Sequence, residues 1–544
     1  MFGLMMEIPL TLTSIMRHGE RNHARREIVS VTHDHELHRY TYAEGFARAR
    51  RLANALARLG AGADARIGTL AWNDFRHFEL YYAVSCSGRV CHTINPRLFE
   101  EQIAYILQHA EDEWVFVDPA FLPRIEAVAA QCPTLKGVVV LSDAAHMPKT
   151  TLANVHCYET LLAGESDHFD WPALDERRAS GLCYTSGTTG NPKGVLYDHR
   201  SAVLMAYGCA LPDACGLSAL DAVLPIVPMF HVNAWGLPFS AVMVGSKLVF
   251  PGPTLSDPRR LAQLIRDEGV TVSAGVPTVC LPLLAHAREN GQSLAPLNRV
   301  VIGGSACPLS MMEEFRDRHQ VRVIHAWGMT EMSPLGTVNT DTPDTRDLEG
   351  TARAEQMCSQ GRAIPGVELK ITDDDNRELP WDGKAAGTLK VRGPWVCRDY
   401  YRLEGSGGAH DADGWFSTGD VASIDPNGFM RITDRAKDVI KSGGEWISSI
   451  DLENTAMGHP GIAEAAVIGV AHPKWQERPL LVVVRKPDAS FTAPELLQWF
   501  EGRVAKWWIP DDVAFVEALP HTATGKLSKL ELRKRFADYQ FPGA

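Results

Sequence analysis

No two of the eleven cysteines are spaced C-x-x-C, and their number is odd. Reduced thiols in a cytosolic protein fit that usage better than a disulfide framework or a zinc site. No apolar run approaches the roughly 20 residues needed to cross a bilayer, so no transmembrane segment is expected. The opening MFGLMMEIPL is apolar but short for a signal peptide and lacks a basic n-region, which makes the cytoplasm the expected location. Basic residues are in deficit: 54 Lys and Arg against 66 Asp and Glu leave a net charge of −12. A protein held to nucleic acid by phosphate contacts needs the opposite balance, so no nucleic-acid partner is expected. Internal repeats and long low-complexity segments are absent as well; GSGGAHDADG at 405–414 is the most loop-like stretch.

What remains is an ordinary globular composition, 45% hydrophobic and 22% charged, over 544 residues. That length allows about three or four domain-sized units. Thr41 and Glu44 have capping-box spacing, and Phe46, Ala49, Leu52, Ala53, Leu56 and Leu59 follow at helical intervals up to Gly60. Asp257-Pro258 opens a second helix carrying Leu261, Leu264 and Ile265, which stops near Gly269 and runs into the strand-like VTVSAGV. RVVIGGS and VRVIHAW read as two further buried strands. Helices alternating with short apolar strands predict an α/β fold with mostly parallel sheet, whose ligands bind beyond the carboxyl ends of the strands. The stretch 366–393 alternates in short runs between Gly, Asp and Asn turns, which predicts an antiparallel β subdomain. From Asp434 onward a compact α+β unit of about 110 residues is expected.

The stretch CYTSGTTGNPKGV at 183–195 concentrates hydroxyls, glycines and one lysine. Gly187 and Gly190 permit close approach of N–H groups to an anion, Thr185, Ser186, Thr188 and Thr189 add hydroxyl donors, and Lys193 adds a full charge. The set suits a polyphosphate, although a Gly/Ser/Thr surface turn is the plain alternative. It is not a Walker A loop, because the lysine falls three residues after Gly190 and is followed by Gly194.

TSGTTGNPKG resembles the phosphate loop of the adenylate-forming superfamily, which includes acyl-CoA synthetases, adenylation domains and luciferases. PMFHVNAWGLPF (228–239), GGSACPL (303–309), AWGMTE (326–331), WFSTGD (415–420), DRAKDVIKSGGEWIS (434–448) and PHTATGK (520–526) follow in the family's order. HPKW (472–475), ERPL (477–480) and KWWIP (506–510) resemble the bacterial medium- and long-chain fatty acyl-CoA synthetase branch, which also contains methylmercaptopropionate–CoA ligases. The resemblance implies a large multi-subdomain adenylating domain over 1–434, a hinge at 435–439 and a small mobile α+β lid over 440–544. It implies ATP, Mg²⁺ and coenzyme A as cofactor and co-substrates, and allows a homodimer.

The same resemblance implies the site residues. Lys526 would contact both the acyl carboxylate and the α-phosphate, Thr330 would donate to that phosphate, and Glu331 with Thr185 would position the metal. Gly304, Ser305 and Ala306, with Ala326, Trp327, Gly328 and Met329, would line the base; Trp327 stands where relatives usually carry tyrosine. Asp420 would accept from the ribose hydroxyls, Arg435 would contact ribose or phosphate, and Trp446 would lie near the nucleotide. Cys307 reads as a packed core thiol rather than a nucleophile. His231, Val232 and Trp235 would bound the acyl pocket and its tunnel. Ser442, Gly443 and Gly444 would admit the pantetheine arm, and Lys437 matches the hinge.

The expected activity is therefore ATP-dependent, AMP-forming ligation of a carboxylic acid to CoA, on medium- to long-chain fatty acids or on short acids such as 3-methylmercaptopropionate. No carrier domain follows Lys526, which favours free CoA over a carrier-protein thiol. A nucleotide-binding regulatory protein without catalysis is the alternative of another class.

Overall fold

The structure is a computed structural model and describes residues 1, 3–185, 191–403, 409–435, 438–442, 445–487, 489–521 and 527–542. Among the described residues the strands form four sheets. In the nine-stranded sheet, Arg322–Gly328, Arg299–Ile302, Val272–Gly275, Ala222–Pro225, Lys247–Phe250 and Glu27–Ser30 run parallel in that spatial order. Antiparallel strands close its edges, His38–Thr41 at one side and Leu335–Val338 with Arg362–Ala363 at the other. In the seven-stranded sheet, Val155–Cys157, Gly137–Val140, Asp112–Val117, Arg66–Leu70, Val90–Thr93 and Ala179–Tyr184 are parallel, and Gly194–Asp198 pairs antiparallel at the edge.

Both sheets are covered on two faces, and their strands show why the sequence runs are almost wholly apolar. Ile28, Val223, Leu248 and Val301 point into one core with Ile67, Phe116 and Val139 of the other sheet. Their chain neighbours Val29, Leu224, Val249 and Val300 face a second, outer core, while Val115, Val138 and Val140 face a third. The shared core also takes residues of the helices Leu12–Asn22, Tyr42–Arg58, Phe75–Cys86, His199–Ala210 and Leu237–Val244, which join the two sheets. Helix Tyr42–Arg58 starts at the expected capping box, with both Thr41 and Glu44 bonds formed. Asp257 caps Pro258–Asp267 by accepting from the Arg259 and Arg260 N–H groups.

The expected β subdomain is a four-stranded antiparallel sheet of Glu368–Thr372, Ala386–Arg392, Phe416–Ile424 and Met430–Arg435. The last sheet starts at Ile440–Ser442 and is built on the long pair Ile462–His472 and Gln476–Arg485. Helix Ser449–Met457 ties it to the preceding sheet. Asp434 Oδ2 accepts from the Ser449 N–H at 2.9 Å, Ser448 Oγ donates to the Thr433 carbonyl at 2.6 Å, and Arg431 pairs with Asp451 at 2.6 Å.

At their carboxyl ends the two large sheets are linked by the side chain of Asn73, among other contacts. Asn73, which follows the strand Arg66–Leu70, donates from Nδ2 to the carbonyls of Pro225 and Val227 at 2.9 and 2.8 Å. Its Oδ1 accepts from the Met229 N–H at 2.6 Å.

Burial also sets an acid limit on stability. His77, His199 and His325 are almost completely buried, and burial pushes each imidazole down to about 4 from the ordinary 6.5. Below pH 6.5 the unfolded chain protonates these rings while the folded chain does not until about pH 4, so stability falls with pH across that window. At pH 5 the loss is about 2 kcal/mol for each ring. The thermal unfolding midpoint is expected to drop by several degrees between pH 7.5 and pH 5.0; an unchanged midpoint would contradict the neutral burial of these rings.

Candidate active site

Thr185 and Lys193 flank the glycine-rich loop, whose residues Ser186, Gly187, Thr188, Thr189 and Gly190 lie outside the described residues. They lie just beyond the last register pair, Tyr184 and Gly194, of an antiparallel hairpin formed by Ala179–Tyr184 and Gly194–Asp198. The Thr185 N–H donates to the Lys193 carbonyl at 2.9 Å, and the Lys193 N–H donates back to Thr185 Oγ1 at 3.1 Å. Lys193 Nζ sits 4.8 Å from the centre of the Tyr400 ring, a cation held against a π face. The Tyr400 hydroxyl in turn donates to Glu331 Oε1 at 2.7 Å. Burial and the neighbouring Glu331 carboxylate push the Tyr400 phenol well above its ordinary range, so it remains a donor. Lys193, Tyr400 and Glu331 thus form one line, and the tyrosine joins two residues that are far apart in sequence.

Glu331 belongs to the short turn Thr330–Met332 that follows the strand Arg322–Gly328. The Thr330 carbonyl is held by the Tyr197 hydroxyl at 2.6 Å, and the Glu331 carbonyl accepts from the Cys397 N–H at 2.7 Å. The glutamate side chain is only 7% exposed, and among the described residues no cation pairs with it. A buried carboxylate that, among the described residues, takes its side-chain hydrogen bond from a phenol is a suitable hard-oxygen ligand for a divalent cation.

Trp327 ends the same strand. Its Nε1 donates to Asp420 Oδ2 at 3.1 Å, and Arg435 Nε pairs with Asp420 Oδ1 at 2.8 Å. Asp420 and Arg435 are register partners on Phe416–Ile424 and Met430–Arg435. The carboxylate is 2% exposed while the arginine side chain is 47% exposed, so a buried acid is joined to a cation that reaches solvent. One face of the indole lies against Gly336, where a Cβ would come within 2.7 Å of the ring. The departure from tyrosine at position 327 thereby gains a physical role, since an indole N–H can donate to the buried carboxylate. Gly304, Ser305 and Ala306 follow the neighbouring strand Arg299–Ile302; Ser305 is exposed, Ala306 half-buried, and Gly304 adopts φ +80°. Their chain neighbour Cys307 is buried in the outer core, as expected of a packed thiol.

The motif expected on the acyl side has an unusual backbone. Val232, Asn233, Ala234, Trp235 and Gly236 all have positive φ, at 44°, 54°, 49°, 55° and 70°. Four of these are not glycine and Val232 is β-branched, and left-handed conformation costs L-residues roughly 1–2 kcal/mol each. His231 precedes the turn, with its N–H bonded to the Pro228 carbonyl at 3.0 Å. Val232 is buried, and the half-buried Trp235 reaches the chain at Gly303, where a Cβ would lie 3.3 Å from the indole edge. The turn therefore brings Trp235 beside the end of the strand that precedes Gly304.

On the C-terminal side, Ser442 Oγ accepts from Arg478 Nη1 at 3.1 Å, and Trp446 lies in the strand Glu445–Ile447. Lys437, Gly443, Gly444 and Lys526 lie outside the described residues. Tyr400, Tyr197 and Asn73 support site residues without being legible as site residues. None sits in a motif, although Tyr400-Tyr401 and the polar Asn73-Asp74 between apolar runs are the available hints.

Residues 16–401 match the AMP-binding enzyme family, and residues 451–526 match the AMP-binding enzyme C-terminal domain. The chain is similar to a medium-chain-fatty-acid–CoA ligase of Ectopseudomonas oleovorans, 51% identical over 538 residues that cover 99% of this chain and 98% of that protein. It is similar to a 3-methylmercaptopropionyl-CoA ligase of Ruegeria lacuscaerulensis at 50% identity, with 99% of each chain covered. Among solved structures, ATP-bound MatB of Rhodopseudomonas palustris matches with a TM-score of 0.82 at 26% identity, over 97% of this chain and 99% of that one. With the buried Asp420, the Lys193–Tyr400–Glu331 line and both family segments in one chain, the protein belongs to the adenylate-forming superfamily, as an AMP-forming acid–CoA ligase that works through an acyl-adenylate.

Proposed function

We propose that the acid is a medium- to long-chain fatty acid and that the residues above divide the chemistry as follows. The observation that carries the nucleotide assignment is Asp420, a buried carboxylate shared by Trp327 and Arg435 and suited to accept from the ribose hydroxyls. Glu331 and Thr185 would hold Mg²⁺, whose charge would offset that of the phosphates. Lys193 and the glycine-rich loop would bind the phosphates that leave as pyrophosphate.

In the first step a carboxylate oxygen attacks the α-phosphorus, and the bond to pyrophosphate breaks. Bringing two anions to 4 Å costs about 4 kcal/mol per unit pair at an effective dielectric of about 20. Lys526, Thr330 and Lys193 would supply the cations and donors that offset this repulsion in the transition state. In the second step the CoA sulfur attacks the acyl carbonyl, the thiol proton is released and AMP leaves. A lysine placed for the first step obstructs the second, and rotation about Lys437 would remove it. Ser442, Gly443 and Gly444 would then admit the pantetheine arm.

Chain length rests on the relative named for medium-chain fatty acids. A short acid is the second reading, favoured by the proximity of the Trp235 indole to Gly303 and by the relative named for 3-methylmercaptopropionyl-CoA.

AMP formation with ATP, Mg²⁺ and CoA should show an optimum across propionate, 3-methylmercaptopropionate, octanoate and palmitate. An optimum at octanoate or longer supports the first reading, one at the short acids supports the second, and silence throughout contradicts both. Lys526→Ala is expected to lower kcat about 100- to 1,000-fold, as loss of a main transition-state cation would. Asp420→Asn is expected to raise KM for ATP roughly 10- to 100-fold, the loss of a hydrogen bond to a charged group, with KM for the acid nearly unchanged. An unchanged KM for ATP would remove Asp420 from the ribose site.

A further inference from the structure

We propose that Asn73 is a positioning residue for acid recognition: from the seven-stranded sheet it holds the chain that leads into the left-handed turn Val232–Trp235, and so places the wall of the acyl pocket without touching the acid. The inference rests on the reading of His231, Val232 and Trp235 as acyl-side residues.

Asn73 is fully buried, and every hydrogen-bonding group of its side chain faces one segment. Its two bonds from Nδ2 end on Pro225 and Val227, and its Oδ1 takes the N–H of Met229. Those three groups sit at alternate residues where the chain leaves the strand Ala222–Pro225, and the amide takes up all three. The Asn73 carbonyl is also used, accepting from the Gly252 N–H at 2.9 Å. Helix Phe75–Cys86 adds a second hold, because the Tyr81 hydroxyl donates to the Met229 carbonyl. Both polar groups of Met229 are therefore fixed by residues of the other sheet and its helix.

Three residues later the backbone turns left-handed at Val232. L-residues do not hold that conformation on their own, so the surroundings must impose it. At its far end Gly236 is fixed through its carbonyl, which accepts from the N–H groups of Phe239 and Ser240 and from Ser240 Oγ at 3.1 Å. At the near end the holds among the described residues include the His231 N–H on Pro228 and the Asn73–Tyr81 clamp on Met229. Removing the clamp on Met229 weakens the near end while the far end stays fixed. The turn then relaxes toward ordinary backbone, and Val232 and Trp235 move relative to Gly303.

The variants are Asn73→Asp and Tyr81→Phe. The aspartate keeps the shape and the acceptor for Met229, but turns an oxygen toward the carbonyls of Pro225 and Val227. The phenylalanine removes only the bond to Met229 and is the milder change. Leu264→Ala, in the outer core of the other sheet face, serves as a control that lowers stability away from the turn. All are assayed well below their unfolding midpoints for acid-dependent AMP formation over the acid panel. The expected result for both clamp variants is KM for the preferred acid raised about tenfold or more. The preference between that acid and one four carbons shorter should fall at least threefold, with KM for ATP changed less than about twofold and Leu264→Ala leaving acid KM and preference as in the parent. Clamp variants with the parent's acid KM and chain-length preference, or matching Leu264→Ala, would overturn the inference while leaving the ligase reading intact. A parent protein silent with every acid would overturn that reading, and this inference with it.

Discussion

Two parallel sheets with separate outer cores have to present their carboxyl ends to one crevice, and the buried amide of Asn73 links those ends. It spans from the end of Arg66–Leu70 to the end of Ala222–Pro225, and it satisfies three backbone groups that would otherwise be buried without partners. A buried, unsatisfied donor or acceptor costs about 1–3 kcal/mol, so the contact is strongly selected in this geometry. From it the chain passes directly to Phe230, His231 and the left-handed turn. Packing between the sheets and the shape of the proposed acyl side are thus parts of one arrangement.

Charge is handled by a related device at the nucleotide side. Asp420 is buried, yet it keeps two donors, one from an indole in the nine-stranded sheet and one from a solvent-reaching arginine on its own sheet. The carboxylate is thereby held in place while its partner Arg435 ends the strand that leads into the C-terminal segment. At the phosphate side, Tyr400 carries Lys193 on its ring and Glu331 on its hydroxyl, which fixes a cation and an anion a ring's length apart. Of the groups proposed to work on ATP, Lys193, Glu331 and Asp420 are each held by a buried ring, which limits the reorganisation they need when charge develops.

Much of this architecture was legible in the residues. The Thr41–Glu44 box, the Asp257-Pro258 start and the apolar strands appeared where periodicity and caps placed them, because those features are governed by local hydrogen bonds and by burial on two faces. Motif resemblance gave Asp420 and Arg435 separate roles on the nucleotide; their pairing with each other was not legible in the motifs and comes from the register of their two strands. Other parts depend on contacts between distant segments. FHVNAW offers only Asn233 as a residue that tolerates left-handed backbone, and the bonds from Asn73 and Tyr81 that hold the approach to the turn come from distant segments. Tyr400 was illegible for the same reason, since its meaning depends on Glu331, which lies 69 residues away in sequence. Resemblance gave Trp327 an expected place beside the base, but nothing in the sequence announced its bond to Asp420.

The central claim is that the acid is activated on phosphorus before the thiol arrives, in one site lined by Lys193, Glu331 and Asp420. Isotope exchange between labelled pyrophosphate and ATP, measured without CoA and with or without acid, tests it most directly. The account predicts exchange that requires the acid and Mg²⁺ and proceeds without CoA. Exchange that appears only with CoA, or thioester formation that releases ADP and phosphate in place of AMP and pyrophosphate, would contradict it.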